Sequence, residues 1–299
     1  MFGSHDVPEN TRHVQVMRHH PHSTRNHSHS FSTIRSAQSK RGVRCAHFAL
    51  CEDGPLRHLG RWGNTVLRLS GNGLILVNGK FASNYDELLL RIRKIVDQPI
   101  RVVINTDHFE DHTGTNAKFL TDGIQVVAQQ NAKRNLLVDN TSGGNLTPPS
   151  AVYDHEQMLH FGAVQVQLLH FEDARTNGDT VVYFPDLKAV AVGDLYSLNP
   201  EPDYAAGGSL IGWAQALGEV LKLDFDVAVP DSGATISRLD LESLKARIDE
   251  AVSRATKLVK NGTPKNQLVT QLRIDDLGLK LNFSGKKLDG FYAELSRRQ

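Results

Sequence analysis

From Leu59 onward the chain alternates short apolar runs with amphipathic ones, the order in which helices come to pack on sheets. Positions 64–69 and 74–77 are β-rich and flank Ser70-Gly71-Asn72-Gly73, whose Asn-Gly pair accepts the positive φ of a hairpin turn. A helix is predicted next. Ser83 or Asn84 can cap it, Asp86 and Glu87 suit its positive N-terminus, and Leu88, Leu89, Ile92, Ile95 and Val96 supply an apolar face. Pro99 closes that connection, and positions 100–104 read as a buried strand running straight into a polar cluster, for which an extended loop is predicted. Val164, Val166 and Leu168 alternate with Gln165 and Gln167, as a half-buried strand should. Strands at 180–184 and 189–192 are predicted to pair across Pro185-Asp186, the second ending at Gly193-Asp194. A short strand at 227–230 opens into Asp231-Ser232-Gly233. After it comes a long helix carrying Leu241, Leu244, Ile248, Val252, Ala255 and Val259 on one face and stopped by Gly262, beyond which Thr263 and Pro264 start another.

The first 52 residues or so break this pattern, being rich in His, Ser and Arg without apolar periodicity, so they cannot bury enough surface to fold alone. Seven of the 14 histidines lie within the first 29 residues, at 5, 13, 19, 20, 22, 27 and 29, spaced irregularly in the manner of a disordered tail rather than a metal store. Residues 1–55 are therefore expected to form a disordered tail or targeting segment, and 56–299 a single domain. An Arg- and Ser-rich, acid-poor start also suits an organellar transit segment; the compartment is otherwise open, with a cytoplasmic protein as the alternative. No apolar run approaches the roughly 20 residues of a membrane helix, and no secretory signal is recognisable, so a soluble protein is expected.

At 299 residues, 39% hydrophobic and 22% charged, the chain suits one large α/β domain plus a tail. Its net charge of +1 hides an asymmetry: positions 11–51 contain no acid and seven Arg or Lys residues, which leaves the body mildly acidic. A nucleic-acid surface on the domain, which would carry a basic stripe, is not expected. The two cysteines, Cys45 and Cys51, are too few for a disulfide framework and read as free thiols.

Chemistry concentrates in four loops at the ends of strands, at 105–114, 172–179, 193–194 and 230–233. Asn105-Thr106-Asp107-His108-Phe109-Glu110-Asp111-His112-Thr113-Gly114, then Thr176-Asn177-Gly178-Asp179-Thr180-Val181-Val182-Tyr183-Phe184-Pro185, then Val192-Gly193-Asp194, occur in that order. Together they closely resemble the metallo-β-lactamase superfamily, over about residues 59–299. The resemblance implies an α/β fold, the four-layer αββα sandwich. It also implies a site that, in that family, holds two zinc ions through a His-x-His-x-Asp-His motif, a later His before Thr, a bridging Asp after Gly and a last His in a Gly-His-Gly turn.

Carried over position by position, Asp107 stands at the first His and Phe109 at the second, while Asp111 and His112 are retained. Arg175 stands at the third His, Asp194 keeps the bridging position, Ser232 replaces the last His, and Asn78 replaces an Asp that ends the second strand. Phe109 offers no donor, and Arg175 is a permanent cation that cannot ligate a metal. The three-histidine half of the site is thus expected to be without metal. Asp111, His112 and Asp194 could still hold one zinc or other divalent ion weakly.

Two readings of Arg175 stand: its guanidinium neutralises Asp107, Asp111 and Asp194 in place of the metal, or it points to solvent. His108, flanked by the two ligand positions, is expected to face away from them. Were the segment helical, it would instead share a face with His112.

The function the resemblance implies once these losses are counted is a catalytically degenerate pseudoenzyme or ligand-binding protein, with no cofactor. The alternative is a hydrolase using one metal on Asp111, His112 and Asp194, or metal-free acid/base chemistry among the cleft carboxylates and His112, with Asp111 and His112 as the catalytic candidates. A small-molecule ligand is the only kind of partner the site suggests, and the oligomeric state is open.

Overall fold

The structure is a computed structural model. It describes residues 63–171, 173–281 and 283–297, and before them only the backbone of three short strands, β1 (Gln15–Met17), β2 (Phe31–Thr33) and β3 (Phe48–Glu52). Apart from that backbone, the segment expected to be disordered, 1–55, lies outside the described residues, as do the side chains of Cys45 and Cys51.

The hairpin forms as predicted, β4 (Asn64–Ser70) pairing antiparallel with β5 (Gly73–Val77). Gly73 sits at φ 126°, where a Cβ would also meet the Pro99 carbonyl, so the turn needs glycine. After α1 (Tyr85–Ile95), β6 (Ile100–Ile104) lies parallel to β5. The chain continues through the single turn α2 (Glu110–Thr113), α3 (Asn116–Thr121), β7 (Gln125–Gln129), α4 (Gln130–Thr141) and β8 (Ala151–Tyr153). The first sheet has the order β3-β4-β5-β6-β7-β8.

The second sheet is built from β9 (Glu156–Phe161), β10 (Val164–His170), β11 (Thr180–Phe184), β12 (Ala189–Gly193) and β13 (Val227–Pro230), in the order β13-β12-β11-β10-β9. Its helices are α5 (Leu210–Val220), α6 (Arg238–Lys260), α7 (Lys265–Gln271) and α8 (Gly285–Ser296).

Alternation along the strands makes the layers. Ile75, Val77, Ile104 and Val127 face Val166, Leu168, Val182, Phe184 and Ala191 across the gap between sheets. On the opposite faces Leu74, Leu76, Val103 and Val126 meet Leu88 and Ile92 of α1 and Phe119 of α3, while Val190 and Val192 meet Trp213, Leu217, Leu244 and Ile248 of α5 and α6. The result is the expected αββα sandwich. Each fully buried aliphatic side chain in these layers stabilises the fold by roughly 1.5–3 kcal/mol.

The predicted stop of the long helix held, with Gly262 at φ 83° just past its end, and at its start Ser237 and Asp240 form a reciprocal capping box. Other local signals did not hold. Asn84 precedes α1 without a side-chain cap bond because a 3-10 turn, Ala82–Asn84, leads the chain in, and α7 begins after Pro264 rather than at it. No helix among the described residues is long and apolar enough to cross a membrane.

Candidate functional site

The chain enters the site from β5 through Asn78, whose φ of 64° is unusual for a residue with a side chain. Asn78 tolerates it while its amide oxygen accepts the Thr106 N–H at 2.8 Å and its amide nitrogen donates to Thr106 Oγ1 at 2.9 Å. This pair fixes the point where β6 gives way to the polar cluster. The expected extended loop is only half correct: Phe109 is extended, but a helical turn starts at Glu110, capped by no side chain. The turn aims His112 back under Asp107, and the two histidines diverge instead of sharing a face.

His112 is wholly buried between two carboxylates, with Nδ1 2.7 Å from Asp107 Oδ1 and Nε2 2.6 Å from Asp231 Oδ1. Burial alone favours the neutral ring, yet the two carboxylates raise the His112 pKa well above its ordinary value, so an imidazolium donates both ways. Burial likewise pushes the Asp107 carboxyl up, but the His112 charge and hydrogen bond, with Arg175 beyond, hold it at about 2. Burial keeps Asp111 above the usual carboxylate range despite His112. His108 is buried elsewhere: its ring lies 4.3 Å from that of Phe109, its Nε2 is 3.4 Å from Asp139 of α4, and burial lowers its pKa.

Across the cleft Arg175 Nη1 pairs with Asp194 Oδ2, and the guanidinium carbon sits 4.1 Å from the centre of the Phe109 ring. Arg175 therefore does not point to solvent; its side chain is 11% exposed. Its loop is pinned by the segment that precedes α5: Asp203 N–H donates to the Arg175 carbonyl at 2.8 Å, Ser209 N–H to that of Ala174 at 2.9 Å, and Asn177 N–H to that of Ala206 at 2.9 Å. Within the loop Asp179 accepts the N–H and hydroxyl of Thr176 at 2.9 and 2.7 Å, and burial pushes its carboxyl up to about 7. His170 Nδ1 is 2.8 Å from the Asp179 carbonyl, while His155 and His160 are exposed on the β8–β9 side.

Asp107, His112 and Asp194 bring ligand-type atoms within 4.8 Å of one another, and so do Asp111, His112 and Asp231. The expected trio Asp111, His112 and Asp194 is thus divided between two groups that share His112. Ser232 is exposed; the side chain that reaches the site from that turn is Asp231, one residue earlier. Sequence position alone concealed this, because the motif aligns the turn and not the direction of its side chains. Lys80 was also missed. It is 1% exposed, its ammonium donates to the Gly63 carbonyl, and a Cβ on Gly63 would meet both Lys80 Nζ at 3.3 Å and Asp231 Oδ1 at 2.5 Å. A buried lysine thus lies near Asp231, on the far side of Gly63.

These residues do not fit a two-metal centre. One position is taken by a guanidinium lying on an aromatic ring, and at the other both nitrogens of His112 are occupied by carboxylates. One observation runs the other way: Asp107 Oδ2 is buried without a hydrogen-bond partner. A single cation held by that oxygen together with a His112 nitrogen would have to displace His112 from one of its carboxylates.

No protein-family model matches the chain. It is similar to 2,4-dinitroanisole O-demethylase subunit alpha of Nocardioides sp. (strain JS1661), 24% identical over 147 residues, 49% of this chain and 44% of that protein. The match therefore spans less than half of that relative's length. Among solved structures it is similar to a metallo-beta-lactamase from Pontibacter korlensis, with TM-score 0.56 and 19% identity over 67% of this chain and 93% of the other. It is also similar to a double mutant of the sec-alkyl sulfatase PisA1, with TM-score 0.63 and 15% identity over 79% of this chain and 47% of the other.

Proposed function

We propose that this chain, which has the metallo-β-lactamase fold, is a catalytically degenerate member of it: a pseudoenzyme or small-molecule-binding protein in which the chain's own cations stand where metal would be held. The observation that supports this best is the guanidinium of Arg175, paired with Asp194 and stacked on Phe109. A dication beside that fixed positive charge would be repelled, and Phe109 supplies no donor to offset the repulsion. Without a metal-bound hydroxide, the hydrolytic mechanism the fold usually supports has no nucleophile.

Metal analysis of the full chain after dialysis tests the reading: well under one zinc equivalent per chain is expected. Turnover of a β-lactam, a thioester, a sec-alkyl sulfate or 2,4-dinitroanisole should be negligible. Two tightly held equivalents would overturn the proposal. The clustering of Asp111, His112 and Asp231 favours one second reading, a hydrolase with a single weakly held ion. It requires one-equivalent binding that rises with pH as His112 gives up its proton and that disappears in Asp111→Ala and Asp231→Ala.

A further inference from the structure

We infer that Glu294, on the C-terminal helix α8, is the positioning residue of the Arg175 loop. Its carboxylate lies across the start of α5 and ties together the segment on which Arg175 rests. It accepts the Ser209 hydroxyl, the Ile211 N–H at 3.0 Å, the Leu210 N–H at 3.3 Å and the Tyr204 hydroxyl at 2.9 Å. Ser209 in turn caps α5, its hydroxyl accepting the Gly212 N–H at 2.7 Å, while its own N–H holds the Ala174 carbonyl. Tyr204 opens the turn whose Asp203 and Ala206 hold Arg175 and Asn177. A Cβ on Gly290 would come within 2.3 Å of the Tyr204 ring, so α8 presses its backbone on that turn.

The chain of contacts is continuous: Glu294 to Ser209 and Tyr204, these to the 203–209 segment, and that segment to the backbone on both sides of Arg175. A carboxylate at a helix N-terminus is favoured by the exposed N–H groups there, and here the same charge fixes a loop one layer away from the helix that carries it. The pair Arg175–Asp194 is only as well placed as that loop. Glu294 touches neither Arg175 nor Asp194, so it acts through the backbone alone.

The inference rests on the proposed function only in taking the Arg175–Asp194 pair as the working part of the site. Phenylglyoxal labelling of the full chain, read at Arg175 by peptide mass spectrometry, tests it. Glu294→Ala, which removes all four of its hydrogen bonds, should raise the labelling rate at Arg175 at least about tenfold, the change in local opening that loss of even one charge-assisted hydrogen bond produces. Arg254, far along α6, should keep its rate. Leu88→Ala, which opens a cavity in the opposite helix layer, should lower stability without raising labelling at Arg175. If Glu294→Ala does not fold, Tyr204→Phe removes one link and should give a smaller rise confined to Arg175. An unchanged Arg175 rate in a folded Glu294 or Tyr204 variant, or an equal rise in Leu88→Ala, overturns the inference. Zinc content of the same variants separates the two ideas, because labelling that rises as expected in a variant that also holds two zinc equivalents would keep the positioning role and remove the degenerate reading.

Discussion

In one half of the cleft Asp107, His112 and Asp231 are all buried, each nitrogen of His112 bonded to a carboxylate. In the other half Asp194 remains 22% exposed and meets Arg175 at the rim, over the ring of Phe109. Both halves compensate acids with protein cations, yet they do so in different dielectrics. The buried triad is an all-or-none unit: remove one member and the rest are charges without water. The rim pair has solvent as a second partner, so its loss is cushioned. The first half behaves as part of the core, and the second is where a ligand could exchange places with an ion pair.

His112→Ala gives the sharpest contrast. It strands Asp107 and Asp231, and a stability loss of about 3–5 kcal/mol is expected by urea denaturation at neutral pH. A loss under about 1 kcal/mol would mean the triad is wet and the contrast false.

Asp179 comes next, because it sits on the rim loop by sequence but in the buried half by environment. Its folded pKa of about 7 lies above the ordinary 3.8. It therefore contributes stability that is fully present below pH 3.8 and lost as pH rises through about 7. Asp179→Asn should remove that slope, so the wild type should lose on the order of 4 kcal/mol relative to the variant between about pH 4 and pH 8. Parallel stability curves for the two proteins would show that Asp179 titrates normally.

Arg175→Ala should be milder than His112→Ala, about 1–2 kcal/mol, and that difference should shrink in high salt because the pair is partly screened. A salt-independent loss equal to that of His112→Ala would place the rim pair in the core instead. Ser232→Ala should change stability by less than about 0.5 kcal/mol in thermal melts, since the hydroxyl is exposed.

Much of the fold and part of the site were legible in the residues. A polar run at the end of a strand marked each site loop, and the absence of donors at Phe109 and Arg175 needed no coordinates. The hairpin, β6, β10 to β13 and α6 could be read from alternation, apolar runs and helical periodicity. The features that stayed hidden did so for physical reasons. The helix α5 is apolar on nearly all sides, buried between sheet and α6, so it shows no amphipathic stripe. The strand β9 is mostly exposed at a sheet edge and lacks alternation. The one-turn helix at Glu110 is set by where its side chains find partners rather than by propensity, and it decides which way His108 and His112 point. Asp231 and Lys80 lie far apart in sequence, and both approach the point where a side chain on Gly63 would begin.

Lys80 makes the path back to a metal centre longer than the count of missing ligands. Asp107→His, Phe109→His, Arg175→His and Ser232→His together would supply nitrogen donors at every motif position, yet the buried Lys80 near Asp231 would remain. A metal ion entering there would confront a fixed like charge, and the fourth histidine would start from an exposed position. Zinc titration of the fourfold variant should therefore give weak binding that tightens once Lys80→Met is added. The chain would have to be emptied of its own cations, and not merely refitted with ligands, before another could come in.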